Sequence, residues 1–148
     1  MPEKKTLERA RKDKREGKSP STQAGEFVKE EMDHIREGKH GARSAKQAVA
    51  IGLSKARRAG VQLPAPKKGR ASERTRSQAA RDNAKGSKSP GRAPARKRSR
   101  AVTAALKREG RAAASHSALS RQAHSSARAR GAAARSRAAR KAARTRAR

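Results

Sequence analysis

The chain has 148 residues, 42 Lys and Arg against 12 Asp and Glu, and a net charge of +30. Phe27 is its one aromatic residue and it has no cysteine, which excludes a large apolar core, a disulfide framework and a thiolate zinc site. An isoelectric point near 12 points to a polyanionic partner: DNA, RNA or an anionic membrane surface.

The charge is uneven. Residues 1–37 hold nine of the twelve acids and ten Lys or Arg, a net of +1, whereas residues 38–148 hold 32 Lys or Arg and three acids, a net of +29. The N-terminal run MPEKKTLERARKDKREGK lacks the apolar stretch of a secretory signal. No apolar run approaches the ~20 residues of a membrane span. These features lead us to expect a soluble cytoplasmic protein.

The expected fold class is mostly α, in three parts: a charged helix or arm at 1–18, a helical hairpin at 19–63, and a basic Ala/Arg/Ser-rich tail at 64–148. In the first part Leu7 and Ala10 are the only apolar side chains between residues 3 and 17. Glu8 and Lys12 form a favourable i, i+4 pair. This pattern fits a solvated helix ending at Gly17, and equally plain disorder.

In the second part Ser19 is placed as N-cap with Pro20 at the first helical position, Ser21 being the alternative cap. Ala24, Phe27, Val28, Met32 and Ile35 then share one face of a helix over about 20–37, closed by Gly38. The segment Gly38–Arg43 leads to a second helix over about 44–59. Ser44 and Gln47 have capping-box spacing. Ala45, Ala48, Val49, Gly52, Leu53 and Ala56 follow one helical face, and Lys55, Arg57 and Arg58 complement the dipole in the last turn. Gly60 can take the left-handed position after the helix, Val61 the hydrophobic contact of a Schellman stop, and Pro64 prevents a restart.

Two such helices joined by a short loop form a hairpin. Phe27, Val28, Met32, Ile35, Val49 and Leu53 are its expected core, with Ala56 and Ile51 as further candidates, and Ala48 and Gly52 allow close approach. At roughly 1.5–3 kcal/mol per large buried side chain, this set barely offsets the ordering entropy of the segment. The hairpin is expected to need the first helix, self-association or a ligand.

After Pro64 and Pro66 the composition changes. Residues 65–148 contain 25 Ala and 26 Lys or Arg. Low hydrophobicity with high net charge predicts a tail that is disordered or conditionally helical. Helix candidates within it are Ser72–Lys85 and Ser99–Arg108, the latter with Val102, Ala105 and Leu106 on one face. Ala and Arg favour helix over 111–148. Self-repulsion opposes that helix until phosphates neutralise it.

The candidate nucleic-acid-binding residues are Arg57 and Arg58 at the end of the hairpin, then Lys67, Lys68, Arg70, Arg92, Arg96, Lys97, Arg98, Arg100, Lys107, Arg108, Arg128, Arg130, Arg135, Arg137, Arg140, Lys141, Arg144, Arg146 and Arg148. Arg137, Arg140, Lys141, Arg144 and Arg148 recur every three or four residues and so share a helical face that can track a phosphate backbone. Ser89-Pro90-Gly91-Arg92 departs from an AT-hook core, because Arg92 is followed by Ala93 rather than Pro. A DNA-reading helix-turn-helix has a shorter turn and a third supporting helix, and the first hairpin helix is acidic.

His34 and His40 lie near Glu30, Glu31, Asp33 and Glu37. They are expected to decorate a solvated face and a loop, with no metal bound. No nucleophile–base pair, Gly-rich phosphate loop or paired carboxylates in an apolar setting are present, so no enzyme and no cofactor are expected. The tail lacks the apolar face of a membrane-surface helix.

The stretch SAKQAVAIGLSKARRAG, within SPSTQAGEFVKEEMDHIREGKHGARSAKQAVAIGLSKARRAGVQLP, resembles the shared segment of a group of small basic bacterial proteins of unknown function. The resemblance covers about a third of the chain and implies a bacterial source without a mechanism. The tail is similar in composition to linker-histone tails and bacterial histone-like proteins, as any Ala/Lys/Arg polymer is. The expected function is sequence-independent DNA binding by charge neutralisation, as a nucleoid-associated, histone-like factor. RNA binding near the ribosome, or protein interaction through the hairpin as a homodimer or with another chain, are the alternatives.

Overall fold

In a computed structural model the described residues, 1–90 and 95–147, are helical with no strand. The helices are α1 (Lys4–Arg15), α2 (Pro20–Arg36), α3 (Ala45–Arg58), α4 (Glu73–Lys88), α5 (Arg96–Lys107), α6 (His116–Arg130) and α7 (Ala132–Arg146), with a 3-10 turn at Ala112–Ala114. None of them is long and apolar enough to cross a membrane.

Local chemistry sets the helix ends. The Ser19 hydroxyl accepts from the Thr22 amide, with Pro20 at the first helical position. The Ser44 hydroxyl accepts from the Gln47 amide at 3.2 Å, and the Gln47 side chain reaches back to the Arg43 amide at 2.8 Å. At the end of α3, Gly60 (φ 95°) donates to Arg57 and Val61 donates to Ala56, the paired bonds of a Schellman stop. The same pair of bonds follows α1 at Gly17 and α2 at Gly38.

Helices α2 and α3 pack antiparallel: Phe27 shares a cluster with Ala56, and Ile35 shares one with Ala48. Gly52 sits against Val28 so closely that an added Cβ would lie 2.7 Å from the Val28 Cα. We expect Gly52→Ala to push the helices apart and cost about 1–3 kcal/mol, by analogy with overpacked cores. A chemical denaturation midpoint equal to that of the parent chain would refute this contact.

The core has two halves. One combines Ala24, Phe27 and Ala56 with Ala10 and Leu7 of α1 and with Val61 and Leu63 of the extended exit segment after α3, residues 61–66; Leu53 packs against it. The other combines Met32, Ile35, Ala42 and Ala48 with Ala113 and Ala114, with Val28, Val49 and Leu119 packed around it. Phe27 and Ile35 are fully buried. Ile51 is only half-buried and faces a cleft instead. The α1 helix is less solvated than its composition suggests, since Thr6, Ala10 and Asp13 are buried and Asp13 accepts from Lys18 Nζ at 2.8 Å.

The largest departure from the sequence expectation is the tail. The described part of 64–148 is not disordered: it forms α4 to α7, and part of it joins the core. Helix α4 runs from 73 to 88 rather than 72 to 85, and α5 from 96 to 107 rather than 99 to 108. Ala79, Asp82 and Gly86 of α4 are buried, and α4 packs on α3. A Cβ on Gly86 would collide with the Arg57 carbonyl. The backbone also joins the parts, through Gly41 N–H to Leu106 O at 2.9 Å and Ala42 N–H to Gly110 O at 3.1 Å. Arg36 Nε donates to Ala114 O at 3.1 Å. The physical reason is that small residues can bury backbone against backbone and satisfy it with hydrogen bonds. A criterion based on large apolar side chains does not register such packing.

Candidate nucleic-acid interface

The structure brings together cations that are far apart in the chain. Arg58 of α3, Arg81 and Lys85 of α4 and Arg98 of α5 border a cleft of about 860 Å³, with Ile51, Val102 and Leu106 among its apolar lining. Arg81 and Lys85 were not singled out from the sequence. Their i, i+4 spacing in the Ser72–Lys85 candidate was the available signal, but nothing local indicated that α4 would dock on α3. Asp82 is the acid of α4 nearest them. Its carboxylate is buried, accepting from Ser54 Oγ at 2.6 Å and Gln78 Nε2 at 3.0 Å.

Arg57 does not belong to this surface. It is 7 % exposed, and its guanidinium donates to Leu63 O and Pro64 O, each at 3.2 Å. Burial lowers its pKa, while the nearby Asp82 charge acts in the opposite sense. The side chain clamps the exit segment onto α3 and is not free to meet phosphate. Its assignment as a nucleic-acid contact is corrected on that ground.

A second gathering involves the turn at 67–70. The Arg70 guanidinium donates to Ala129 O at the end of α6. Exposed Lys67 and Lys68 of that turn therefore join exposed Arg128 and Arg130 into one basic patch. Helix α7 follows Gly131, packs only on α6 and buries no residue. Arg135, Arg137, Arg140, Lys141, Arg144 and Arg146 are all exposed on it. Arg137, Arg140, Lys141 and Arg144 keep their i, i+3, i+4, i+7 register, since α7 is unbroken over them. On α5, Arg96, Lys97, Arg98, Arg100 and Lys107 are exposed, as is Arg108 just beyond its end. Arg92 and Arg148 lie outside the described residues.

Few acids offset these charges. In residues 65–148 there are three: Glu73, Asp82 and Glu109. Glu73 pairs with Arg76 of its own helix, and Glu109 lies 3.8 Å from Arg43 Nε. The positive surface of the C-terminal half is therefore largely uncompensated within the chain.

One polar centre escaped the sequence reading. Glu30 and Glu31 are not solvated decoration: they are 3 % and 0 % exposed. Lys55 Nζ lies 2.6 Å from Glu31 Oε2 and 3.6 Å from Glu30 Oε1. Glu30 Oε2 accepts the Glu3 amide at 3.0 Å. His40 Nε2 is 3.3 Å from Glu31 Oε1, and His34 Nε2 is 2.9 Å from Glu3 Oε1. Hydrogen bonding to His34, then to Lys39, holds the exposed Glu3 carboxyl down at about 2. The spacing of Glu30, Glu31 and Lys55 carried no sign of this, because both glutamates sit among charged neighbours on α2.

Residues 11–68 match the model of a family of unknown function, DUF6496. The match spans α2, α3 and the exit segment and ends before α4. It agrees with the resemblance to an uncharacterised group and brings no activity with it. No curated protein and no solved structure matches the chain.

Proposed function

We propose that the chain binds nucleic acid independently of sequence, with DNA as its ligand, as a nucleoid-associated, histone-like protein of the bacterial cytoplasm. The observation that carries this reading is the exposure of the cations of α5 and α7 beside almost no acid. Such a surface neutralises phosphates and releases their counterions, and that release drives association. Sequence would be ignored because these cations form an array along one helix face that tracks the phosphate backbone, and phosphate contacts carry no sequence information. Catalysis has no part in this reading.

The hairpin and α1 give the basic elements a scaffold. Helix α4 docks on α3, and the Ala112–Ala114 turn docks on α2 and α3, which fixes where α6 begins. In this reading the cleft bordered by Arg58, Arg81, Lys85 and Arg98 is an entry point for the phosphate backbone.

Titration of the full chain against duplex DNA and against structured RNA, each at several salt concentrations, tests the proposal. We expect log K for DNA to fall linearly with log salt, with a slope of roughly −0.9 per phosphate contacted. Affinity indifferent to salt would overturn the electrostatic reading. A preference for RNA above tenfold at equal salt would replace DNA with RNA as the ligand.

A further inference from the structure

The polar centre of the hairpin contains a contact that neutral His40 leaves without a donor. His40 Nδ1 lies 3.1 Å from the Gly41 carbonyl oxygen. A carbonyl only accepts, so Nδ1 carries the hydrogen and donates it. In neutral imidazole that leaves Nε2 as a lone-pair acceptor, and it faces Glu31 Oε1 at 3.3 Å. A carboxylate is also acceptor-only. With His40 neutral, two acceptors thus face each other at the edge of the core with no donor between them. Glu31 Oε1 is buried without a hydrogen-bond partner, and so is Glu30 Oε1.

The charges point the same way. Glu30 and Glu31 bring two negative charges into the interior and Lys55 returns one. A buried charge without compensation is costly. A further cation between Glu31 and His40 removes both the lone-pair conflict and the charge deficit.

The donor set suits a metal ion. Glu31, His34 and His40 each offer a ligand atom, all within 4.8 Å of one another. A tetrahedral zinc site with bonds of about 2.0–2.1 Å sets its ligand atoms about 3.3–3.4 Å apart, close to the 3.3 Å between Glu31 Oε1 and His40 Nε2. Each histidine has one ring nitrogen bonded to an acceptor, which leaves the other with a lone pair. His40 Nδ1 donates to Gly41 O, and His34 Nε2 donates to Glu3 Oε1, which leaves His34 Nδ1 as its lone-pair nitrogen. Ring orientation by a carbonyl or carboxylate is the usual outer support of metal-binding histidines. Lys55 occupies Glu31 Oε2 and leaves Oε1 free.

We propose that Glu31, His34 and His40 bind one divalent transition-metal ion of the zinc class, with a water completing the coordination. The ion ties the loop carrying His40 to α2, next to the point where Gly41 and Ala42 bond to the backbone at 106 and 110. It therefore steadies the loop from which Gly41 and Ala42 reach the C-terminal half, and stabilises the folded state by mass action.

Titration of the metal-free full chain with Zn2+ by calorimetry, and with Co2+ by visible absorption, tests the site. We expect one ion per chain, tetrahedral Co2+ bands, and a rise in melting temperature with saturating Zn2+. His40→Gln and His34→Gln should each weaken binding at least tenfold while far-UV circular dichroism shows the helices retained. His116→Gln and His124→Gln, both exposed on α6, should leave binding unchanged. Equal weakening by the C-terminal variants would show scattered surface binding and overturn the site. So would the absence of saturable binding, with 15N chemical shifts showing both His40 nitrogens protonated at neutral pH, because a proton would then fill the gap.

Discussion

Lys55→Met will destabilise the fold by about 3 kcal/mol, the lower end of the 3–5 kcal/mol that follows from leaving a buried charge unpaired. Among the described residues Lys55 is the one ammonium that touches both Glu30 and Glu31, and neither glutamate has solvent to turn to. The lower end applies because the Lys55 side chain itself keeps 22 % exposure, so water screens part of the interaction. Methionine preserves the length and apolar stem, which isolates loss of charge from loss of packing. Denaturant unfolding followed by circular dichroism measures the effect. Adding Glu31→Gln in the same chain should restore part of the loss, because one of the stranded charges is then gone. If Lys55→Met alone shifts stability by less than about 0.5 kcal/mol, as for an ordinary surface substitution, the buried cluster does not exist as described.

The second large effect concerns binding. Arg137, Arg140, Lys141 and Arg144 replaced together by Gln should make the salt dependence of DNA binding shallower by about 3–4 in log–log slope, because each phosphate contact contributes roughly 0.9. At 0.1 M salt the affinity should fall by about 10³-fold on the same basis. Stability should hardly change, since α7 buries nothing and Gln is a good helix former. The matching control replaces Lys4, Lys5, Arg11 and Lys14 of α1, also exposed, by Gln. It removes the same charge from the nearly neutral N-terminal part and should change the slope much less. Equal slopes for the two variants would mean that net charge alone matters and that the α7 array has no special place in the complex.

A good deal of this molecule was legible in advance. Ser19 with Pro20, Ser44 with Gln47, and the Gly60–Val61 stop lie within one helical turn of the groups they satisfy. Short-range geometry sufficed to place them. Phe27, Met32 and Ile35 were legible from period, since a 3.6-residue repeat puts them on one face. The sign of the charge and its concentration after residue 37 needed only counting.

Other features were not legible, each for a physical reason. Arg57 and Arg58 are adjacent in sequence, yet one is buried under the exit segment and the other borders the cleft. A helix turns 100° per residue, and only the packing of α2, α4 and the exit segment on α3 says which direction is inward. Glu30 and Glu31 follow no apolar pattern, and their burial depends on Lys55, twenty-four or more residues away. Ala113 and Ala114 lie in a run of alanines that is nowhere distinctive locally, and they are core residues only because Met32, Ile35 and Ala48 leave room for them.

Length, charge and local pattern thus established a helical chain with a capped hairpin and a cationic C-terminal half, because caps, periodicity and net charge are properties of neighbours or of totals. The folded arrangement established that the cationic half is helical and partly docked, that Arg57 points inward, and that two buried glutamates gather a partly buried lysine and two partly buried histidines. Those outcomes rest on contacts between small or charged residues distant in the chain. Their energy depends on what surrounds them, and no local window contains it.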